Sequence, residues 1–257
     1  MHLTLNGSQI NVQQQGVGSR TLILLHYFGG SSLSWQPLCA ALGDEVQCVA
    51  PDLRGFGNSR ATSYDLAAYV ADLGALVAAL ALERYTIVAH SMGGKIALAY
   101  AAQHPAGLQS LILLAPSPPT PEPIAAHQRE RLLTTHGQRA AAKQTISKIV
   151  AHPLPTPLLE QAIADNLRCD PAAWSAWLEV GSREDIAAAV GKLDIPTLVV
   201  SGERDQTIPR KLIEQQVMPH LNHAHLEIVP TSGHLLPLEA TNEVANLIRA
   251  APVRVYR

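Results

Sequence analysis

The chain has 257 residues, 47% of them hydrophobic and 16% charged, enough apolar material to bury a sizeable core in a soluble globular protein with room for an insertion. A formal net charge of −2 without a long basic run argues against nucleic acid or an anionic membrane as the main partner. Eleven histidines are many, yet neither H-E-x-x-H nor a paired Cys/His spacing occurs, so no metal or other cofactor is expected.

In chain order, two short alternating segments at residues 2–6 and 9–14, joined at Gly7-Ser8, predict an antiparallel hairpin at a sheet edge. The opening residues lack the charged start and apolar core of a signal peptide. Cys39, Cys48 and Cys169, odd in number and widely spaced, read as reduced, buried thiols of a cytoplasmic protein. Apolar runs and helical patterns then alternate: strand 21–26, helix 33–42, strand 46–50, helix 64–82, strand 85–89, helix 91–103 and strand 108–115. The most apolar stretch, residues 66–82, contains Asp72 and Gly74 and is too short to span a bilayer, so it reads as a buried amphipathic helix. Continuous runs such as Leu22-Ile23-Leu24-Leu25 and Leu111-Ile112-Leu113-Leu114 fit parallel strands covered on both faces.

The alternation stops at Pro116. Prolines and helical patches (129–133, 158–167, 172–180) follow with no strand signal, which predicts a folded helical cap of residues 117–185 set into a core of residues 1–116 and 186–257. A strand at 197–201, a helix near 210–218, a strand at 226–229 and a closing helix near 238–250 complete the pattern. The expected fold is α/β: a mostly parallel eight-stranded sheet with helices on both faces and a helical cap.

Ala89-His90-Ser91-Met92-Gly93-Gly94 sits between a predicted strand and a predicted helix, a serine on a tight turn of G-x-S-x-G type. Such a turn strains the serine backbone, lifts the hydroxyl out of the sheet and needs small residues two places before and after. Gly93 meets the second need, while Ala89 stands where glycine is usual. A serine nucleophile requires a base, and the base an orienting acid. Two loops that leave predicted strands offer them: Ser201-Gly202-Glu203-Arg204-Asp205 and Thr231-Ser232-Gly233-His234. Side chains just beyond the C-terminal ends of parallel strands converge on one crevice, so Ser91, Asp205 and His234 form the candidate triad, in the chain order this architecture uses. Glu203 is the rival acid. Asp194 is weaker because it leads into a strand, and no carboxylate is read as following the strand ending at Ala115, which removes the other usual location for the acid. For a developing oxyanion, the Met92 N–H at a helix start is one natural donor. The Phe28 N–H in His26-Tyr27-Phe28-Gly29-Gly30 is the other.

With Asp52-Leu53-Arg54-Gly55-Phe56-Gly57-Asn58-Ser59 added, these motifs resemble the α/β-hydrolase fold superfamily over almost the whole chain outside the cap. The superfamily pattern has glycine where Tyr27 stands, so Tyr27 is expected to narrow the crevice or touch the ligand. Serine at 91 differs from the aspartate nucleophile of dehalogenases and epoxide hydrolases. Gly93 stands where hormone-receptor and signalling members usually carry serine, Leu235 where ring-cleavage hydrolases often carry tryptophan after the histidine, and Lys95 departs from cofactor-free perhydrolases. The remaining likeness is to small carboxylesterases and enol-lactonases. It implies an acyl-enzyme mechanism on a small-molecule ester or lactone, with no cofactor. Carbon–carbon hydrolysis on the same triad and a ligand-binding regulator are the alternatives. Trp174 and Trp177, three apart on one face of a predicted cap helix, join Tyr27 and Leu235 as candidate substrate-binding residues, with packing inside the cap an equal reading of the tryptophans. Acyl length, alcohol and oligomeric state are not specified by these motifs.

Overall fold

The alternation becomes one eight-stranded sheet in the computed structural model, which describes residues 1–251. Its strands are β1 (His2–Leu5), β2 (Ser8–Gln15), β3 (Arg20–Leu25), β4 (Val46–Pro51), β5 (Tyr85–His90), β6 (Leu108–Leu114), β7 (Leu193–Gly202) and β8 (Leu221–Val229). They lie in the order β1-β2-β4-β3-β5-β6-β7-β8. The first two form the antiparallel hairpin, β2 pairs antiparallel with β4, and every later pairing is parallel. Leu5 pairs with Ser8, so the turn is Asn6-Gly7 and not Gly7-Ser8; both turn residues have positive φ, the geometry a two-residue hairpin needs. β5 and β6 are buried along their whole length, and the polar Thr86 and Ser110 within them are hydrogen-bonded to each other.

Helices α1 (Gln36–Leu42), α2 (Leu66–Ala79) and α3 (Met92–Ala101) connect the first strands. After β6 come α4 (Ala126–Thr134), α5 (Arg139–Ile149), α6 (Thr156–Arg168), α7 (Pro171–Glu179) and the short α8 (Ala187–Val190). The chain ends through α9 (Arg210–Gln216), α10 (Leu236–Glu239) and α11 (Thr241–Ala250). One apolar core gathers α2 and α3 on one face of the sheet and also takes in Trp174 and Trp177 of α7. A second joins α1 and α11 on the opposite face, and a third, smaller one gathers Tyr27, Leu235 and residues of α5 and α6. Among the described residues no helix is long and apolar enough to cross a membrane. Cys39, Cys48 and Cys169 are free and buried.

Three elements differ from expectation for physical reasons. β8 begins five residues early because it is an edge strand whose polar Asn222, His223 and His225 face out, which hides the apolar signal. β7 begins at Leu193 and absorbs Pro196 at an irregularity in its pairing with β8. Helix α5 was not expected, since only Ala142 and Ile146 on it are fully buried and its apolar stripe is correspondingly thin.

Lys95 on α3 ties the cap to the sheet. The residue is fully buried, and its ammonium donates to the carbonyls of Thr120 (3.3 Å), Gly181 (3.1 Å) and Glu184 (2.6 Å). Thr120 precedes α4 and the other two follow α7, so one cation holds both ends of the helical segment. A charge so buried persists only because its three donors are all used.

Candidate active site

Strand β5 ends at His90, and the next residue, Ser91, has a φ of +51° and ψ of −117°, a region that costs a non-glycine residue about 1–3 kcal/mol. The turn is held by hydrogen bonds on both sides. Ser91 N–H donates to Leu114 O at 3.0 Å, and Ser91 O accepts from Gly94 N–H at 2.7 Å and Ser117 N–H at 2.9 Å. A Cβ at position 93 would sit 2.5 Å from Leu25 O, so glycine is the residue that lets α3 approach β3. Ala89 is fully buried on β5, paired with Leu25 and Leu113, and its methyl is accommodated there. The departure from glycine at that position leaves the turn intact.

Asp205 follows β7. Its Oδ1 accepts from the N–H groups of Thr207 (2.7 Å) and Ile208 (3.0 Å), and its Oδ2 accepts from His234 Nδ1 at 2.7 Å. A proton on Nδ1 leaves Nε2 as an acceptor, and Ser91 Oγ lies 2.9 Å from it. The sequence-predicted triad is therefore one hydrogen-bonded chain. With exposures of 8% for Ser91, 2% for Asp205 and 3% for His234, little water competes for it. Glu203 instead accepts from Thr231 N–H, and Asp194 lies 2.8 Å from His223 on the exposed edge. Neither rival carboxylate meets His234.

The histidine loop leans on its surroundings. His234 N–H donates to Ile149 O at the end of α5 (2.8 Å), and His90 Nε2 donates to His234 O (2.7 Å). A carbonyl only accepts, so the His90 proton is on Nε2. Burial, with the His234 ring next to it, holds His90 well below the ordinary histidine value and keeps the ring neutral. Glu239 closes the loop: Oε2 accepts from Gly233 N–H (3.0 Å) and Ala151 N–H (2.7 Å), and Oε1 accepts from Leu235 N–H (2.9 Å).

The Phe28 N–H is aimed by a second histidine. Leu53 N–H donates to His26 Nε2 (3.0 Å), which leaves the proton on Nδ1 to donate to Tyr27 O (2.8 Å). Gly30 N–H donates to the same carbonyl at 3.0 Å. In a planar trans peptide the C=O and N–H point in opposite directions, so the Phe28 N–H faces away from these groups. Among the described residues neither Phe28 N–H nor Met92 N–H has a protein acceptor.

Beside the triad opens a cavity of about 360 Å³, bounded on the sheet side by Tyr27, Phe28 and Ser91 and on the cap side by Ile146, Trp174 and Trp177. Trp174 and Trp177 are both buried and both line the cavity. The Trp174 ring centre lies 4.2 Å from that of Phe28 and 4.5 Å from that of His136, while its N–H donates to Leu132 O at 2.9 Å. Tyr27 lines the cavity too, its hydroxyl buried without a protein partner among the described residues. Leu235 is a correction. It is fully buried among Tyr27, Ala142 and Ile146 and is not part of the cavity wall, because the backbone after His234 turns inward onto Glu239.

Glu122, seven residues past Ala115, lines the cavity and was not anticipated. A carboxylate in a proline-rich stretch leaving a central strand was the available signal. Burial raises its pKa above that of an ordinary glutamate, partly offset by the Ser117 hydroxyl, Lys95, His234 and Arg129.

A profile described as the alpha/beta hydrolase family matches residues 22–247, and the chain belongs to that family. Lipase 3 of Moraxella sp. is 27% identical over 96% of this chain and 82% of its own length. An esterase from Exiguobacterium antarcticum superposes with a TM-score of 0.89 at 22% identity, covering 97% of this chain and 98% of its own. An enol-lactonase from Burkholderia xenovorans LB400 does so with a TM-score of 0.85 at 19% identity, again over 97% and 98%. At those identities the structural likenesses establish the fold.

Proposed function

We propose that the chain is a serine hydrolase that cleaves carboxylic esters, open-chain or lactone, of small to medium apolar substrates through an acyl-enzyme. The observation that carries this reading is the continuous Ser91–His234–Asp205 hydrogen-bond chain facing a largely apolar cavity. Ser91 Oγ attacks the carbonyl carbon while His234 Nε2 takes its proton. The Phe28 and Met92 N–H groups stabilise the oxyanion, and donors of this kind contribute most when they are already oriented and otherwise unoccupied. His234 returns the proton to the leaving alcohol, Asp205 holding the imidazolium. Water activated by His234 then attacks the acyl carbonyl and frees Ser91 and the carboxylic acid. The free, buried thiols support a cytoplasmic setting.

A fluorophosphonate probe tests the assignment directly. It should label Ser91 in the wild type, and Ser91→Ala should abolish labelling and cut ester turnover by about 10³-fold or more with the fold retained. Full turnover in the alanine variant would sink the reading. A panel of nitrophenyl esters, lactones and a vinylogous diketone separates ester and lactone cleavage from carbon–carbon cleavage.

A further inference from the structure

The mechanism leaves one cavity-lining acid without a task. Glu122 sits where the chain leaves β6 for the cap, on the wall of the cavity that holds Ser91 and His234. Its backbone is fixed by an N–H bond to Ser182 O at 2.8 Å, and its carboxyl meets the Ser117 hydroxyl. Ser117 in turn donates its own N–H to Ser91 O. Glu122 is thus two contacts from the nucleophile. Its Oε1 is shielded from solvent and has no hydrogen-bond partner among the described residues. An unpartnered carboxylate oxygen in a low-dielectric site is costly unless something in the working complex satisfies it.

We propose that Glu122 is a specificity-determining residue whose carboxyl accepts a hydrogen bond from a hydroxyl group on the substrate, making this a hydrolase of hydroxylated esters. The inference rests on the hydrolase reading above and names the substrate class for that site.

Charge balance decides which donor fits. Glu122 feels Lys95 and Arg129; Lys95 also feels Glu184 and Asp185, and Arg129 feels Arg183. Lys95 and Arg129 already oppose the Glu122 charge, so the carboxyl has no need of a cationic ligand. A ligand ammonium would import an unmatched charge, whereas a neutral hydroxyl fills the empty acceptor and leaves the balance alone. The rest of the wall near Glu122, including Ile124, Leu132 and Trp177, suits an alkyl spacer between that hydroxyl and the ester. A site built to bond a hydroxyl discriminates strongly against the analogue that lacks it, because its polar group is then buried unpaired.

Two readouts test this on the full-length protein. In the first, dissociation constants for hexane-1,6-diol, heptan-1-ol and 6-aminohexan-1-ol are read from the fluorescence of the cavity-wall tryptophans, which needs no turnover. In the second, kcat/KM is compared for phenyl 6-hydroxyhexanoate and phenyl heptanoate, and for hexanoate esters of hexane-1,6-diol and heptan-1-ol. Wild type should favour the hydroxylated member. Glu122→Leu should reduce that preference by about tenfold or more, and Glu122→Gln, whose amide oxygen still accepts, should keep most of it. Glu122→Ala reads the same ratio should the leucine variant not fold. An unchanged diol-to-alkanol ratio in the apolar variants overturns the proposal. Tighter binding of the amino alcohol than of the diol overturns the assignment to a neutral donor. If the binding ratio shifts but wild type hydrolyses none of the esters, the hydroxyl site stands and the ester-hydrolase reading falls.

Discussion

The nucleophile turn and the histidine loop face each other across 2.9 Å, yet they are built differently. Ser91 is held by its neighbours in the sheet: Leu114 on one side, Gly94 and Ser117 on the other. Each lies on an element adjacent to β5 or at its edge. His234 is held from far away in sequence, by Ile149 of α5 and by the His90 ring, while its neighbours Gly233 and Leu235 are held by a Glu239 carboxylate that also grips Ala151. The serine's conformation is thus a property of the sheet, and the histidine's position is shared with the cap. Loosening α5 is therefore expected to displace His234 while leaving Ser91 in place.

The largest expected break in that comparison comes from Trp174. Its ring packs on Phe28 and His136 and its N–H binds Leu132 O, so Trp174→Ala removes contacts across three parts of the structure. A buried tryptophan truncated to alanine costs about 3–5 kcal/mol. Amide hydrogen exchange should show lost protection across α4 to α7 and through residues 231–239, with residues 89–94 little changed. Chain-length preference should shift only a few-fold per carbon, since each methylene accommodated is worth at most about 0.8 kcal/mol. Equal deprotection of the nucleophile turn would show that the two regions are not separately supported.

Glu239 sharpens the comparison without disturbing the cap's own packing. Glu239→Gln replaces one of two acceptor oxygens by a donor facing backbone N–H groups, so the clamp joining Gly233, Leu235 and Ala151 loses at least one bond. A displaced base of even 1 Å can cost about 100-fold, and kcat should fall by roughly tenfold to a hundredfold with KM nearly constant. Loss confined to KM would assign Glu239 to ligand binding instead of to positioning His234.

The same contrast explains what was legible in the sequence. The nucleophile turn is encoded in six consecutive residues, and its strands are continuous apolar runs, so Ser91, Met92 and the central sheet could be read directly. Asp205 and His234 could be singled out as candidates because both leave strands of a parallel sheet, a rule about topology that needs no contact information. Glu203 remained a rival because two carboxylates in one loop differ only in which way the turn points them; Asp205 turns inward by accepting the Thr207 and Ile208 N–H groups. The hydrogen bonds of Lys95 and Glu239 and the cavity position of Glu122 were not legible. Their partners are backbone atoms or residues tens of positions away, and a backbone acceptor leaves no side-chain pattern to recognise. Leu235 was misplaced for the same reason, since its direction depends on the Glu239 bond and not on its proximity to His234.

The smallest expected effect concerns His90, which joins the two regions. It ends β5 directly before Ser91, its ring lies 5.2 Å from that of His234, and its Nε2 donates to the His234 carbonyl. Burial lowers its pKa well below the model-peptide value of about 6.5, with the His234 ring adding to the shift; burial lowers that of His26 as well. A histidine that resists protonation when folded accepts a proton when the chain unfolds. The unfolded state therefore binds more protons once the pH drops below about 6.5, and stability falls as pH falls, until the lowered folded-state value is reached. Each such site contributes a slope of about 1.4 kcal/mol per pH unit in that window. Gln at position 90 keeps a side-chain N–H for the His234 carbonyl but does not titrate. Urea unfolding of His90→Gln between pH 6 and pH 5 should thus give a slope shallower than wild type, with His26 supplying part of what remains. Because the His90 bond links the nucleophile strand to the histidine loop, exchange protection in wild type should decline first at residues 231–239 on acidification. An unchanged slope in the variant would mean that His90 is protonated in the folded protein, and the neutral bridge between the two regions would have to be abandoned.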